Sequence, residues 1–144
     1  MMFGDAAFTR VVCLPFPPPC TALQRSSHVL VADAIEVTGG SERVSETAAR
    51  LAPQRVRFRV VESLKGVAAD TRELQVQTDA HHVEATRFVA GSRYLIYAST
   101  LPDGMWSTAC SRTRYVDLKS TRQVAWLEEE LSELRRCSAR QFED

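Results

Sequence analysis

Arginine and apolar residues take turns through 55–60: Arg55, Arg57 and Arg59 fall on one parity, and Val56, Phe58 and Val60 on the other. A period of two places the first set on one side of a pleated strand and the second on the opposite side, so 55–61 is the clearest strand in the chain. Segment 73–78 repeats the pattern, with Leu74 and Val76 inward against Glu73, Gln75 and Gln77. Segment 28–37 is apolar on both parities, which suits a barrel strand packed inside and partly covered outside. Tyr94, Leu95, Ile96, Tyr97 and Ala98 make an apolar run rich in β-formers and too short for a helix. Met105, Trp106 and Ser107 follow as a short strand after Pro102-Asp103-Gly104, a turn in which proline presets φ and glycine tolerates φ > 0.

Near residue 121 the period changes. Val124, Leu127, Leu131 and Leu134 form one helical stripe, and Glu128, Glu129, Glu130, Glu133, Arg135 and Arg136 cover the rest as a solvent face. Acidic residues precede basic ones, as the helix dipole favours, and Ser120 or Thr121 can cap the start. At the other end, Leu14, Pro15, Phe16, Pro17, Pro18 and Pro19 must be extended, and Pro19 suits the first position of a short helix over 20–25. Between the strands, 39–53 reads as a loop with a possible helical turn at 45–50, Lys65-Gly66 as a turn, and 79–90 as a polar loop ending near Phe88. About five strands with one short and one longer helix describe a small, mainly β, closed barrel with helical plugs.

Length and charge narrow the function classes. The 144 residues suit one domain, and 18 basic residues balance 18 acidic ones. A neutral chain carries no long-range field toward nucleic acid or anionic lipid. No stretch approaches the roughly 20 apolar residues of a membrane span. The four cysteines, Cys13, Cys20, Cys110 and Cys137, lie near the two ends. An even number placed this way reads as disulfides in an oxidising compartment, with three pairings open. The expected setting is therefore extracytoplasmic, although 1–10 lacks a basic n-region and Asp5 interrupts its apolar residues, so no signal peptide is visible there.

Candidate chemistry is sparse. Arg55, Arg57 and Arg59 form a basic stripe such as a single-stranded nucleic-acid binder would use, but no aromatic alternates outward with them to stack bases. Glu36, Glu62 and Glu73 are available as partners, which favours an ion-paired face. His81 and His82 are adjacent, so in a strand they point apart, and no third ligand completes a metal site. No nucleophile motif is present. The expectation is a non-enzyme without cofactor or metal. Tyr94, Tyr97 and Trp106 read as barrel aromatics, and Arg112 and Arg114 as partners for the final helix's glutamates.

Several pieces, in order, resemble the netrin-like (NTR) domain, especially bacterial proteins similar to tissue inhibitors of metalloproteinases. They are Cys13-Leu14-Pro15-x-Pro17-Pro18-Pro19-Cys20; the strand Val29-Leu30-Val31-Ala32; Val56-x-Phe58-x-Val60 before Lys65-Gly66; Phe88-x-x-Gly91-x-x-Tyr94-Leu95-Ile96-Tyr97-Ala98; and Cys110-Ser111-Arg112-Thr113. The resemblance covers 13–137, with 1–12 as a disordered lead-in and 138–144 as a flexible tail. It implies an OB-fold-like five-stranded barrel, disulfides Cys13–Cys110 and Cys20–Cys137, and a protein partner, such as a protease, meeting the edge at Leu14, Pro15, Phe16, Pro17 and Pro18. The family's first cysteine falls at Val11 here, and its bridging partner is also missing near Val83-Glu84-Ala85. An amide nitrogen within a chain is a poor metal ligand, so the family's zinc-chelating amino terminus does not carry over. The resemblance thus implies a non-catalytic binding or inhibitor-like module. The other reading, from the residues alone, is an OB-type single-stranded nucleic-acid binder using Arg55, Arg57 and Arg59.

Overall fold

The computed structural model of the chain describes residues 16–39, 53–79, 87–108 and 111–141. The predicted lead-in, Cys13, Leu14, Pro15, the 45–50 turn, His81, His82 and Cys110 lie outside the described residues. The element order is α1 (Pro19–Arg25), β1 (His28–Gly39), β2 (Gln54–Lys65), β3 (Glu73–Thr78), β4 (Arg93–Leu101), β5 (Gly104–Ser107), β6 (Arg114–Val116) and α2 (Thr121–Gln141). Antiparallel pairings join β1 to β2, β2 to β3, β5 to β4 and β4 back to β1, and a parallel pairing joins β3 to β5. The ring β1-β2-β3-β5-β4 is therefore closed, and β6 attaches to β4 beside it. This is an OB-fold-like five-stranded barrel with a short N-terminal and a longer C-terminal helix, the fold class the sequence predicts.

β1 serves both halves of the ring because it is long and bent. Its register against β2 shifts between Val29 and Leu30, Val31 and Ala32, and Ala34 and Glu36, and such irregularities turn a strand through a barrel corner. Its two apolar parities are each accounted for. Leu30, Ala32 and Ala34 join Val56, Phe58, Val76 and Ile96 inside the barrel. Val29 and Val31 face outward with Leu95, Tyr97 and Val116, beneath Leu127, Leu131 and Leu134 of α2 and Leu23 of α1. β1 and β4 are thus buried on both sides, whereas Arg55, Arg57 and Arg59 of β2 stay exposed.

Aromatic packing plugs the barrel. Phe58, Phe88 and Tyr94 meet edge to face, with centroids 5.1 Å apart for Phe58–Phe88 and 4.7 Å for Phe88–Tyr94, an arrangement the ring quadrupoles favour. The spacing Phe88-x-x-Gly91-x-x-Tyr94 brings the chain back onto β1. Gly91 N donates to Ala34 O at 2.8 Å, Ala34 N donates to Ser92 O at 2.9 Å, and Val89 N donates to the Tyr94 hydroxyl at 2.7 Å. At the end of β2, Gly66 has φ of 80°, and a Cβ there would collide with Ser27 O. Only glycine fits that turn without strain.

Three features depart from the sequence reading. β1, β2 and β4 each extend further than their apolar runs, and β6 has no alternation long enough to announce it. α2 runs through Gln141, so part of the segment read as a tail is helical. Glu130, read as solvent-facing, is buried at 4% exposure, while Glu128 and Glu129 are exposed as expected. Ser120 supplies the cap, accepting from Gln123 N at 3.2 Å.

Candidate functional site

Proline leaves the leading segment with few donors, so other groups must hold it. Pro18 has φ −59° and ψ 157°, a polyproline II geometry, and Pro19 opens α1. The α1 ladder starts at once, with Ala22 N donating to Pro18 O at 2.9 Å. One residue into α1, Cys20 is disulfide-bonded to Cys137 of α2, their Cα atoms 5.9 Å apart across 117 residues of sequence. This is one of the two pairings the family resemblance implied. The other, Cys13–Cys110, lies outside the described residues.

Arg112 is the second fastening. Its Nη1 donates to Pro17 O at 3.1 Å, its Nε donates to Glu130 Oε2 at 3.2 Å, and its Nη2 pairs with Glu130 Oε1. The Tyr97 hydroxyl donates to Glu130 Oε2 at 2.6 Å. One buried carboxylate therefore receives three charge-assisted or phenolic donors from β4 and the 111–113 turn. Such saturation is what a buried charge needs to avoid a large desolvation cost. Burial lowers the tendency of Arg112 to hold its proton, but the Glu130 carboxylate outweighs this and its pKa is raised. Burial first, and Glu130 second, push the Tyr97 phenol well above its usual range. Both groups stay in their hydrogen-bonded protonation state throughout the physiological range. Thr113 anchors the turn, its hydroxyl accepting from Tyr97 N at 2.8 Å and lying 3.2 Å from Tyr97 O.

The outer side of this fastening forms an edge. Phe16 is 41% exposed and Pro18 is exposed, while Pro17 is half-buried. A cleft of about 260 Å³ is lined by Phe16, Ser111, Arg112, Thr113 and Arg114. Arg114 does not pair with a glutamate of α2 as expected. Its guanidinium lies over the Trp126 ring, 3.6 Å from the centroid. Of the predicted partner-binding residues, Phe16, Pro17 and Pro18 are therefore brought to this edge, and Leu14 and Pro15 are outside the described residues.

The arginine stripe has a different character. Arg57 lies 3.6 Å from Glu73, and Arg59 lies 3.8 Å from Asp33. Asp33 is held chiefly by Arg93, which donates to both its oxygens at 2.8 and 3.0 Å. The hydrogen bond from Arg93 keeps the Asp33 carboxyl below its usual value despite partial burial. Across the stripe, the register partners are Thr38, Glu36 and Asp33 on β1 and Gln77, Gln75 and Glu73 on β3. None is aromatic. The stripe is an exposed face on which Arg57 and Arg59 have acidic neighbours.

A cluster at the α1–β1 junction was not singled out by sequence. Ser27 Oγ lies 2.8 Å from His28 Nδ1, 3.2 Å from Ala98 O and 3.1 Å from Thr100 Oγ1. Lys65 Nζ donates to Leu23 O at 2.8 Å, capping the end of α1. Burial, then the Lys65 charge, lowers the His28 pKa. Ser27 and His28 make a hydroxyl–imidazole pair, but the imidazole has no orienting carboxylate among the described residues and sits against the Gly66 turn. The pair joins the start of β1 to β4 through Ser27. Among the described residues no group of three or more histidine, cysteine or acidic side chains could hold a metal ion, and no helix is long and apolar enough to cross a membrane. No protein-family model matches this chain, and no curated protein does.

Proposed function

We propose that this chain is a non-catalytic, disulfide-stapled binding module of the netrin-like kind, working outside the cytoplasm and engaging a protein partner through the edge formed by Phe16, Pro17, Pro18 and the 111–114 turn. One observation carries the reading. The proline segment is fastened to α2 by a disulfide and to Arg112 by its carbonyl, yet its outer residues Phe16 and Pro18 remain exposed. A rigid, pre-extended ridge loses little conformational freedom on binding, which suits recognition. The Cys20–Cys137 bond fits an oxidising compartment. The zinc-chelating mechanism of metalloproteinase inhibitors forms no part of this reading.

The test is a panel of purified zinc, serine and cysteine proteases, assayed for inhibition and for stoichiometric complex formation with the full chain. Binding that is lost in Phe16→Asp and kept in an Arg55→Ala, Arg57→Ala, Arg59→Ala triple variant supports the edge. Binding that survives Phe16→Asp removes it. The arginine stripe gives the nucleic-acid reading no comparable support, and salt-dependent capture of oligothymidylate, abolished by the triple variant, would reinstate that reading.

A further inference from the structure

We propose that the cleft between Phe16 and the 111–114 turn takes a short acidic and apolar segment of a partner protein, with a partner carboxylate seated on the in-plane N–H groups of Arg114. This rests on the partner-binding reading above and adds the chemistry of the partner to it.

Two arginines line the cleft, and their situations differ. Arg112 is already ion-paired, with Nε and Nη2 on Glu130 and Nη1 on Pro17 O. Arg114 is exposed, and among the described residues no carboxylate pairs with it. Its guanidinium stacks flat enough on Trp126 to sit 3.6 Å from the ring centroid. Stacking occupies the π face of a guanidinium and leaves its N–H donors around the perimeter, where they match the two oxygens of a carboxylate. The stack also fixes a long side chain in advance, so less rotamer freedom is lost when a ligand arrives.

The other walls complete the selectivity. Phe16 provides an apolar side, 41% exposed and unshielded from water. The Ser111 and Thr113 hydroxyls are engaged locally, Ser111 Oγ accepting from Thr113 N at 3.3 Å and Thr113 bonding to Tyr97, so Arg114 is the cleft's available charged donor. At about 260 Å³ the cleft is below the size of sites that enclose a drug-sized ligand. It has room for one or two side chains, as a peptide ridge would present. The whole chain is electrically neutral, so the preference for an acidic segment arises from this local guanidinium rather than from long-range steering.

The experiment uses the ¹⁵N-labelled full chain and three capped hexapeptides: alternating Leu and Asp, alternating Leu and Asn, and alternating Leu and Lys. The Leu–Asp peptide is expected to shift the amides of 111–114 and the Arg114 Nε–H signal. Arg114→Gln should weaken it about three- to fivefold, the upper part of the range of a single exposed ion pair. Arg114→Lys, which keeps the charge and loses the planar fork, should fall between, and an otherwise unchanged amide spectrum reports that each variant is folded. Equal binding of the Leu–Asn peptide, or indifference to Arg114→Gln, overturns the proposal. So does equal perturbation by inorganic phosphate, which would mark a simple anion site. Binding that appears only after removal of residues 1–12 would make this chain's own leading segment the occupant, and also overturns it. A protein partner lost with Phe16→Asp but indifferent to Arg114→Gln would leave the partner-binding reading standing and remove this one alone.

Discussion

On the α2 side of the barrel, Arg112 and Glu130 meet with side chains 19% and 3% exposed, and on the β2–β3 side Arg57 and Glu73 meet with both side chains 49% exposed. The residue types are the same. In the first pair both groups are held by several partners in the fold: Glu130 by Arg112 and Tyr97, Arg112 also by Pro17 O. In the second, water competes for both charges and the separation is 3.6 Å. A buried pair is expensive to break because the survivor is stranded without solvent, whereas an exposed pair hands its survivor back to water. The α2 side therefore fixes the geometry of the candidate edge, and the β2–β3 side mainly keeps the barrel wetted.

The contrast can be broken most severely at its buried end. Arg112→Ala should lower unfolding free energy by about 3–5 kcal/mol, since the buried Glu130 carboxylate loses its guanidinium partner; urea titration followed by tryptophan fluorescence reads it. A loss as small as that of an exposed pair would refute the buried-pair account. Next in size is the disulfide. The Cys20→Ser, Cys137→Ser double variant should lose about 2–4 kcal/mol, and reductant should lower the melting temperature of the parent by more than that of this variant. Gly66→Ala, forced to hold φ of 80° against Ser27 O, should cost about 1–3 kcal/mol, checked by the same titration. At the exposed end, Arg57→Ala should cost less than about 1 kcal/mol, and raised salt should shrink even that.

Acid probes the two sides through different groups. The His28 pKa is depressed in the fold, so below about pH 6.5 the unfolded chain takes up a proton the fold resists, and stability falls as pH drops from 7 toward 5. The Asp33 pKa is also depressed, first by its Arg93 hydrogen bond. Its contribution is complete above about pH 4 and is lost as pH falls toward the lower folded value. His28→Gln should flatten the upper part of the melting-temperature profile, and Asp33→Asn the lower part. Unchanged slopes in either variant would reassign the dependence.

Much of this architecture could be read from the order of residues because its causes are local. Alternation in 55–60 announces a strand with one wet side, and apolar residues on both parities of 28–37 announce a strand covered inside and partly outside; each follows from the two-residue period. β6 could not be read, because three residues, Arg114, Tyr115 and Val116, carry no period and owe their pairing to β4. Glu130 was misread for a related reason. A signal was present, since it lies three residues after Leu127 and four before Leu134, inside their stripe. Its charge points to solvent, and the buried partners that draw it inward, Tyr97 and Arg112, are distant in sequence. The Cys20–Cys137 bond came with the family resemblance, not with spacing. The Arg114–Trp126 stack likewise depends on how β6 and α2 lie together, which no local pattern encodes.

The parallel junction between β3 and β5 consists of two register pairs, Gln77 with Trp106 and Thr78 with Ser107. Around it, Gln77 Nε2 donates to Asp103 O at 3.0 Å, Trp106 Nε1 donates to Asp103 Oδ1 at 2.8 Å, and a Cβ on Gly104 would sit 2.9 Å from Gln77 Nε2. A cylinder latched over so short a span has a built-in gate for solvent. Deuterium should enter first at the amides of Trp106 and Ser107, long before those of Val31 and Leu95, and since Ser107 Oγ lies 3.4 Å from Ser111 Oγ, breathing at the latch reaches the turn beside the fastened ridge.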